Sequence, residues 1–110
     1  MKVKFYVTAS GRSPVEEFID SLSADAKLEI ADAISRLESD SSLTMPLSRN
    51  LSNLHRGLHE LRLRDRGGQI RIIYYLKKAE AIYLIHGFRK KTQQMPQNEI
   101  AIVLKRVREI

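Results

Sequence analysis

The chain concentrates its positive charge in one segment. Nine Lys or Arg residues lie between positions 58 and 91, together with three acidic residues. This segment therefore carries a formal charge of +6, which equals the net charge of the whole chain. Arg side chains bind phosphate oxygens through paired hydrogen bonds and also stack on bases. The charge distribution predicts a polyanionic partner, with nucleic acid favoured over a membrane because the charge falls on predicted strands.

Residues 58–91 alternate in polarity with the two-residue period of β-strands, so the parity of a position predicts its sheet face. The predicted strands are 58–65, 69–77 and 81–88, with short turns at 66–68 and 78–80. One predicted face is apolar, includes His86 and Phe88, and is suited to packing on helices. The other is basic with embedded aromatic residues, and its members are Glu60, Arg62, Arg64, Arg71, Ile73, Tyr75, Lys77, Tyr83, Ile85, Arg89 and Lys91.

The remaining sequence predicts the elements that must support this sheet. Alternation over residues 2–7 predicts a first strand, and apolar stripes over 14–22 and 23–39 predict a helical hairpin. Residues 40–57 lack a sustained period and are predicted to be a long connection with at most one turn of structure. Pro96 begins a final helix. We therefore expect a single α+β domain over residues 1–110, in the order β-α-α-β-β-β-α, with an antiparallel meander packed against the hairpin.

Composition narrows the classes of function. The chain has no apolar run near the ~20 residues that span a bilayer, and its first residues alternate in polarity, so we expect a cytoplasmic protein without a membrane role. It has no cysteine, and its three histidines lack the helical spacing of a zinc pair. The sequence predicts no metal site and no cofactor.

Three motifs resemble the RelE superfamily of bacterial and phage toxins, and within it the phage-derived, HigB-like branch. They are Glu60-Leu61-Arg62, then Gly67-Gly68-Gln69 followed by Arg71, and then His86-Gly87-Phe88 followed by Lys90-Lys91-Thr92. The likeness covers nearly the whole chain, and the predicted order of elements is also that of the family. It implies a toxin of a type II toxin-antitoxin pair, which in this family usually enters the ribosomal A site and cleaves messenger RNA.

The implied reaction is a transesterification that needs no metal. A ribose 2′-hydroxyl attacks the adjacent phosphorus, which leaves a 2′,3′-cyclic phosphate and a free 5′-hydroxyl. The resemblance places Arg71 and Arg89 on the scissile phosphate and Arg62 and Arg64 on the substrate backbone. Further RNA contacts are expected from Tyr75, Lys77, Tyr83 and Lys90. Arg cannot serve as an ordinary base, so Lys91 and Glu60 are the candidates for proton transfer.

Several alternatives stay open. The arginines could merely keep an exposed sheet face soluble, Glu60 could be an ion-pair partner, and the tyrosines could be rim residues. His86 is expected to be structural and buried, unless a bulge at Gly87 reverses its direction. The segment from Thr92 to Pro96 lacks the Tyr or His that many family members place there. A non-catalytic toxin that blocks a protein such as gyrase, or a degenerate member that only binds RNA, is therefore the second hypothesis.

Every toxin reading implies a partner. An unrestrained nuclease of messenger RNA would stop its host from growing, so the resemblance predicts a small helix-turn-helix antitoxin, HigA-like, encoded by a neighbouring gene. We expect this antitoxin to cover or distort the basic face. The second expected partner is messenger RNA in the ribosomal A site.

Overall fold

The computed structural model describes residues 1–78 and 80–110. The elements are β1 (Lys2–Phe5), α1 (Pro14–Asp20), α2 (Ala24–Glu38), β2 (Ser48–Asn50), β3 (Leu58–Asp65), β4 (Gly68–Lys77), β5 (Ala81–Lys90) and α3 (Gln97–Glu109). The predicted α+β order is confirmed, with one addition. The segment predicted as a long connection with at most one turn of structure contains the short strand β2. The predicted turn at 78–80 includes Ala79, which lies outside the described residues.

The helices begin where the sequence predicts them. Pro14 occupies the first position of α1, where its missing N–H leaves no helical hydrogen bond unmade. The Ser23 side chain caps α2 by accepting a hydrogen bond from the Ala26 backbone N–H at 3.2 Å. None of the helices in the described residues is long and apolar enough to cross a membrane.

The five strands form one mixed sheet in the order β1-β5-β4-β3-β2. The meander of β3, β4 and β5 is antiparallel, as predicted, and β2 extends it beside β3. β1 pairs in parallel with β5 at the opposite edge. The first strand of the chain therefore lies next to the last, and the meander occupies the middle of the sheet.

Helices cover both faces of the sheet. The hairpin of α1 and α2 packs on one face, here called the hairpin face, around Leu61, Ile70, Ile72 and Leu84. α3 packs on the other, here called the α3 face, where Val103 and Val107 contact a second apolar cluster that includes Ile73, Ile85 and Phe88. The face predicted to be basic is the α3 face. It carries charged residues at one end of its strands, and at the other end it packs against α3 as part of the core.

A register shift in β5 decides which side chains share a face. Ile73 pairs with His86, whereas the next residue of β4, Tyr74, pairs with Leu84, so the register passes over Ile85. One extra residue in a strand inverts the parity of everything beyond it. The predicted facing of residues 86–89 is therefore wrong. His86 and Phe88 lie on the α3 face, and Arg89 lies on the hairpin face.

Candidate functional site

Five charged residues from four neighbouring strands meet on the α3 face. They lie near the beginning of β4 and the end of β5. Paired residues of adjacent strands lie on the same face of a sheet. Arg49 of β2 pairs with Glu60 of β3, and Arg62 of β3 pairs with Arg71 of β4. Lys90, the last residue of β5, follows Phe88 on this face. We call these five residues the charged cluster: Arg49, Glu60, Arg62, Arg71 and Lys90.

Glu60 lies between two guanidinium groups. It is 1% exposed, and its Oε1 atom lies 3.7 Å from Nε of Arg71 and 3.8 Å from Nε of Arg62. Both distances exceed that of a hydrogen bond. Oε1 of Glu60 and Nε of Arg71 are buried without a hydrogen-bond partner among the described residues. Glu60 therefore forms ion pairs with Arg62 and Arg71, which was the alternative role considered for it. Neither ion pair includes a hydrogen bond to Oε1.

Arg71 is embedded in the sheet rather than exposed on it. It is 4% exposed. Its Nη1 atom donates to the Ile70 carbonyl at 2.9 Å and to the Leu63 carbonyl at 3.4 Å, and its Nη2 atom donates to Oε1 of Gln69 at 2.6 Å. Burial lowers the pKa of Arg71, with Arg62 and Arg64 acting in the same direction and Glu60 opposing them. Because Arg71 is buried, it contributes positive electrostatic potential to the cluster without being exposed on its surface.

Lys90 and Glu60 line a cavity of about 290 Å³ beside the first turn of α3. Lys90 is 8% exposed, and burial lowers the pKa of its amine. Arg71, Arg62 and Arg49 lower this pKa further by like-charge repulsion, while Glu60 raises it. Arg49 of β2 also lines this cavity. The remaining walls come from the loop after β2, the segment after β5 and α3: Leu51, Asn53, Leu54, Gln93, Gln94, Met95, Gln97 and Ile100.

Arg89 is separated from the charged cluster by the sheet. It pairs with Ile70 on the hairpin face, and its guanidinium binds Asp65 through two hydrogen bonds of 2.7 and 2.9 Å. The hydrogen bond from Arg89 is the main reason that the pKa of Asp65 is lowered. The prediction that Arg62, Arg71 and Arg89 converge on one face is therefore wrong for Arg89, because the register shift at Ile85 turns it over.

Other predicted site residues lie away from the cluster. Lys91 follows the end of β5 and is exposed. Tyr75 and Tyr83 pair with each other on β4 and β5, and both pack against the core beneath α3. Tyr75 is four residues from Arg71, or about 13 Å along the strand. Lys77 lies further along, where Nζ donates to the Ile110 carbonyl at 3.1 Å. Arg64 stays near the cluster, opposite Gln69, and is exposed.

His86 is buried, as predicted, although on the face opposite to the predicted one. Its Nε2 atom lies 3.2 Å from Oε2 of Glu99, and its Nδ1 atom lies 3.2 Å from Nη1 of Arg106. Burial is the main cause that lowers the pKa of His86, and Glu99 opposes it. The contacts of His86 with two α3 side chains give it a structural role, that of fixing the helix on the sheet.

Sequence reasoning missed two parts of the site. Arg49 lies on β2, which is three residues long and too short to show a strand period. Its register opposite Glu60 depends on pairing with a distant strand. The carboxamides of Asn53, Gln93, Gln94 and Gln97 were also missed, because they come together only when α3 folds back over the sheet. Lys90 was predicted from the sequence as an RNA contact, whereas Lys91 and Glu60 were the candidates for proton transfer.

The described residues contain no group of three or more His, Asp or Glu side chains that could hold a metal ion. The family model described as "Phage derived protein Gp49-like (DUF891)" matches residues 17–108 of the chain. That match covers most of the hairpin, the whole meander and nearly all of α3. No curated protein matches the chain.

Proposed function

Because the chain belongs to the Gp49-like family of phage-derived proteins, we propose that its charged cluster is the site of an endoribonuclease toxin. In this proposal the protein is a HigB-like member of the RelE superfamily and the toxin of a type II toxin-antitoxin pair. It acts in the cytoplasm on messenger RNA in the ribosomal A site. The observation that carries the proposal is the convergence of four cations and one carboxylate on the α3 face, where Arg49, Glu60 and Lys90 line a single cavity.

The electrostatics of the cavity suit a phosphodiester. A transesterification adds negative charge to the phosphorane, and positive groups fixed before the reaction stabilise that charge without reorganising. Arg62 and Arg49 are more exposed than Arg71 and can reach the phosphate, while Arg71 strengthens the potential from below. Arg64 lies on the same face and extends the contact along the RNA backbone. Replacing one phosphate-contacting cation should slow cleavage about 10²-fold or more.

The cavity also offers contacts to a base. Carboxamide groups present a donor and an acceptor side by side, which is what the polar edge of a nucleobase requires. Asn53, Gln94 and Gln97 lie in the cavity wall beside the cations. In the proposed function these side chains contact the nucleotides that flank the cut.

The proposed partner is a small helix-turn-helix antitoxin, HigA-like, encoded next to this gene. It would neutralise the toxin by covering the cavity or by displacing α3, which forms one of its walls. Induced expression of the chain alone should arrest growth, and co-expression of the neighbouring gene should restore it.

Primer extension on messenger RNA from the arrested cells tests the reaction. Discrete cuts within translated codons are expected with the wild type, and they should weaken strongly with Arg62→Met. Growth arrest without any cuts would favour the second hypothesis, a toxin that blocks a protein target or only binds RNA. Absence of arrest by folded protein would contradict both toxin readings.

A further inference from the structure

We propose that Lys90 is a catalytic residue, and that its ammonium group donates the proton taken up by the 5′-oxygen when the P–O5′ bond breaks. This inference rests on the proposed nuclease function and identifies the proton donor of the cleavage reaction. The sequence had assigned proton transfer to Lys91 or Glu60. The structure gives three reasons for choosing Lys90.

The first reason is the burial of Lys90. Lysine is almost never fully buried unless it is paired, since an ammonium group loses much hydration in the interior. Lys90 is 8% exposed, and the charged residues around it in the described part of the chain, Glu60 among them, act on its amine through their charge and not through a hydrogen bond. Its donors are thus available to a molecule that enters the cavity.

The second reason is the chemistry of the neighbours. The charged groups that surround Lys90 are Arg49 from β2, Glu60 and Arg62 from β3, and Arg71 from β4. On α3, Glu99 is engaged with His86. Guanidinium groups keep their protons at any physiological pH, so the arginines supply charge and not protons. Within the charged cluster, only Lys90 and Glu60 can change protonation state.

The third reason is the tuning of the amine. A general acid works best when its pKa is close to the working pH, because it must hold a proton and yet release it readily. Burial and three neighbouring arginines shift the pKa of Lys90 downward, in the direction of that optimum. Lys91 is exposed beyond the end of β5 and lacks this environment.

The proton balance closes within the cavity. Glu60 accepts the proton of the 2′-hydroxyl, the O2′–P bond forms, the P–O5′ bond breaks, and Lys90 gives a proton to the departing 5′-oxygen. The products are a 2′,3′-cyclic phosphate and a 5′-hydroxyl, with Glu60 protonated and Lys90 neutral. Since both side chains line the same cavity, transfer of one proton from Glu60 to Lys90 through water restores the starting state.

A sulphur-substituted substrate separates proton donation from charge stabilisation. The cut is first mapped on ribosomes programmed with ordinary messenger RNA, and the bridging 5′-oxygen at that position is then replaced by sulphur. A thiolate is a far weaker base than an alkoxide and leaves without protonation. Single-turnover rates are measured on both substrates for wild type, Lys90→Met, Lys90→Arg and Lys91→Met. Lys27→Met is the matched control, because Lys27 is exposed on α2 across the sheet from the cavity.

With the oxygen substrate, Lys90→Met and Lys90→Arg should both be slower than wild type by about 10²-fold to 10⁴-fold. With the sulphur substrate, both should come within about tenfold of wild type, which also establishes that the variants are folded and bind RNA. Lys27→Met should cleave both substrates at the wild-type rate.

Three results would overturn the inference. If Lys90→Met lost the same activity on both substrates while Lys90→Arg kept its activity, Lys90 would only supply positive charge. Wild-type rates in Lys90→Met, or the predicted pattern in Lys91→Met instead, would remove Lys90 from the chemistry while leaving the nuclease function intact. A wild-type protein that cuts neither substrate would refute the proposed function, and the role of Lys90 with it.

Discussion

Replacing Glu60 with Gln should destabilise the protein strongly, because it removes the carboxylate nearest to two guanidinium groups. Arg71 is 4% exposed, and its Nε atom has no hydrogen-bond partner in the described part of the chain. Removing one member of a buried ion pair typically destabilises a protein by about 3–5 kcal/mol. The long separations and the partial exposure of Arg62 favour the lower end, about 3 kcal/mol.

Urea and thermal unfolding measure this effect. For a chain of this length, a loss of about 3 kcal/mol corresponds to a decrease of about 12 °C in Tm. The double variant Glu60→Met with Arg71→Met is the decisive control, since replacing both members of a buried pair by apolar groups is often neutral. We expect it to recover most of the lost stability. Stability of Glu60→Gln within about 0.5 kcal/mol of wild type would refute the electrostatic coupling of the cluster.

The remaining predictions concern packing at Gly87, the ion pair between Arg89 and Asp65, and the pH dependence of stability. Gly87→Ala should lower the free energy of unfolding by about 1–3 kcal/mol, because the added Cβ would lie 2.5 Å from Cδ2 of Phe18; calorimetry should show partial recovery when Phe18→Leu is added, and an unchanged Tm would speak against this contact. Arg89→Met should lower Tm by releasing Asp65 while leaving the cleavage rate of the folded protein unchanged; loss of cleavage at full stability would return Arg89 to the active site. The pKa of His86 is lowered in the fold, so the unfolded chain binds more protons as pH falls below about 6.5 and stability should decrease there; urea titrations from pH 7.5 to 5.5 should find a shallower decrease in His86→Gln, and identical slopes would contradict this role of burial.

Most of the fold could be predicted because its signals are local. The cap at Ser23, Pro14 at the start of α1 and the alternation of the three central strands each act within a few residues. β2 could not be predicted in the same way, because its three residues form a strand only through pairing with β3. The packing of α3 across the sheet likewise depends on contacts distant in sequence.

The site was predicted in part, and the misplacement of Arg89 and Lys90 has a single physical origin. Parity placed Glu60, Arg62 and Arg71 on one face, and the register of β3 with β4 keeps them there. The register shift at Ile85 inverts the end of β5, which exchanges Arg89 for Lys90 beside the cavity. A bulge leaves a weak mark in a sequence, because the apolar residues Ile85 and Phe88 fit either face.

End-group analysis of cleaved messenger RNA tests the central claim most directly. Purified protein is incubated with programmed ribosomes, and the fragments are examined for a 2′,3′-cyclic phosphate and a 5′-hydroxyl. We expect both ends with wild type and with Arg89→Met, and a strong loss of both with Arg62→Met and Lys90→Met. Undiminished cleavage by the Arg62 and Lys90 variants would contradict the assignment of chemistry to the α3 face.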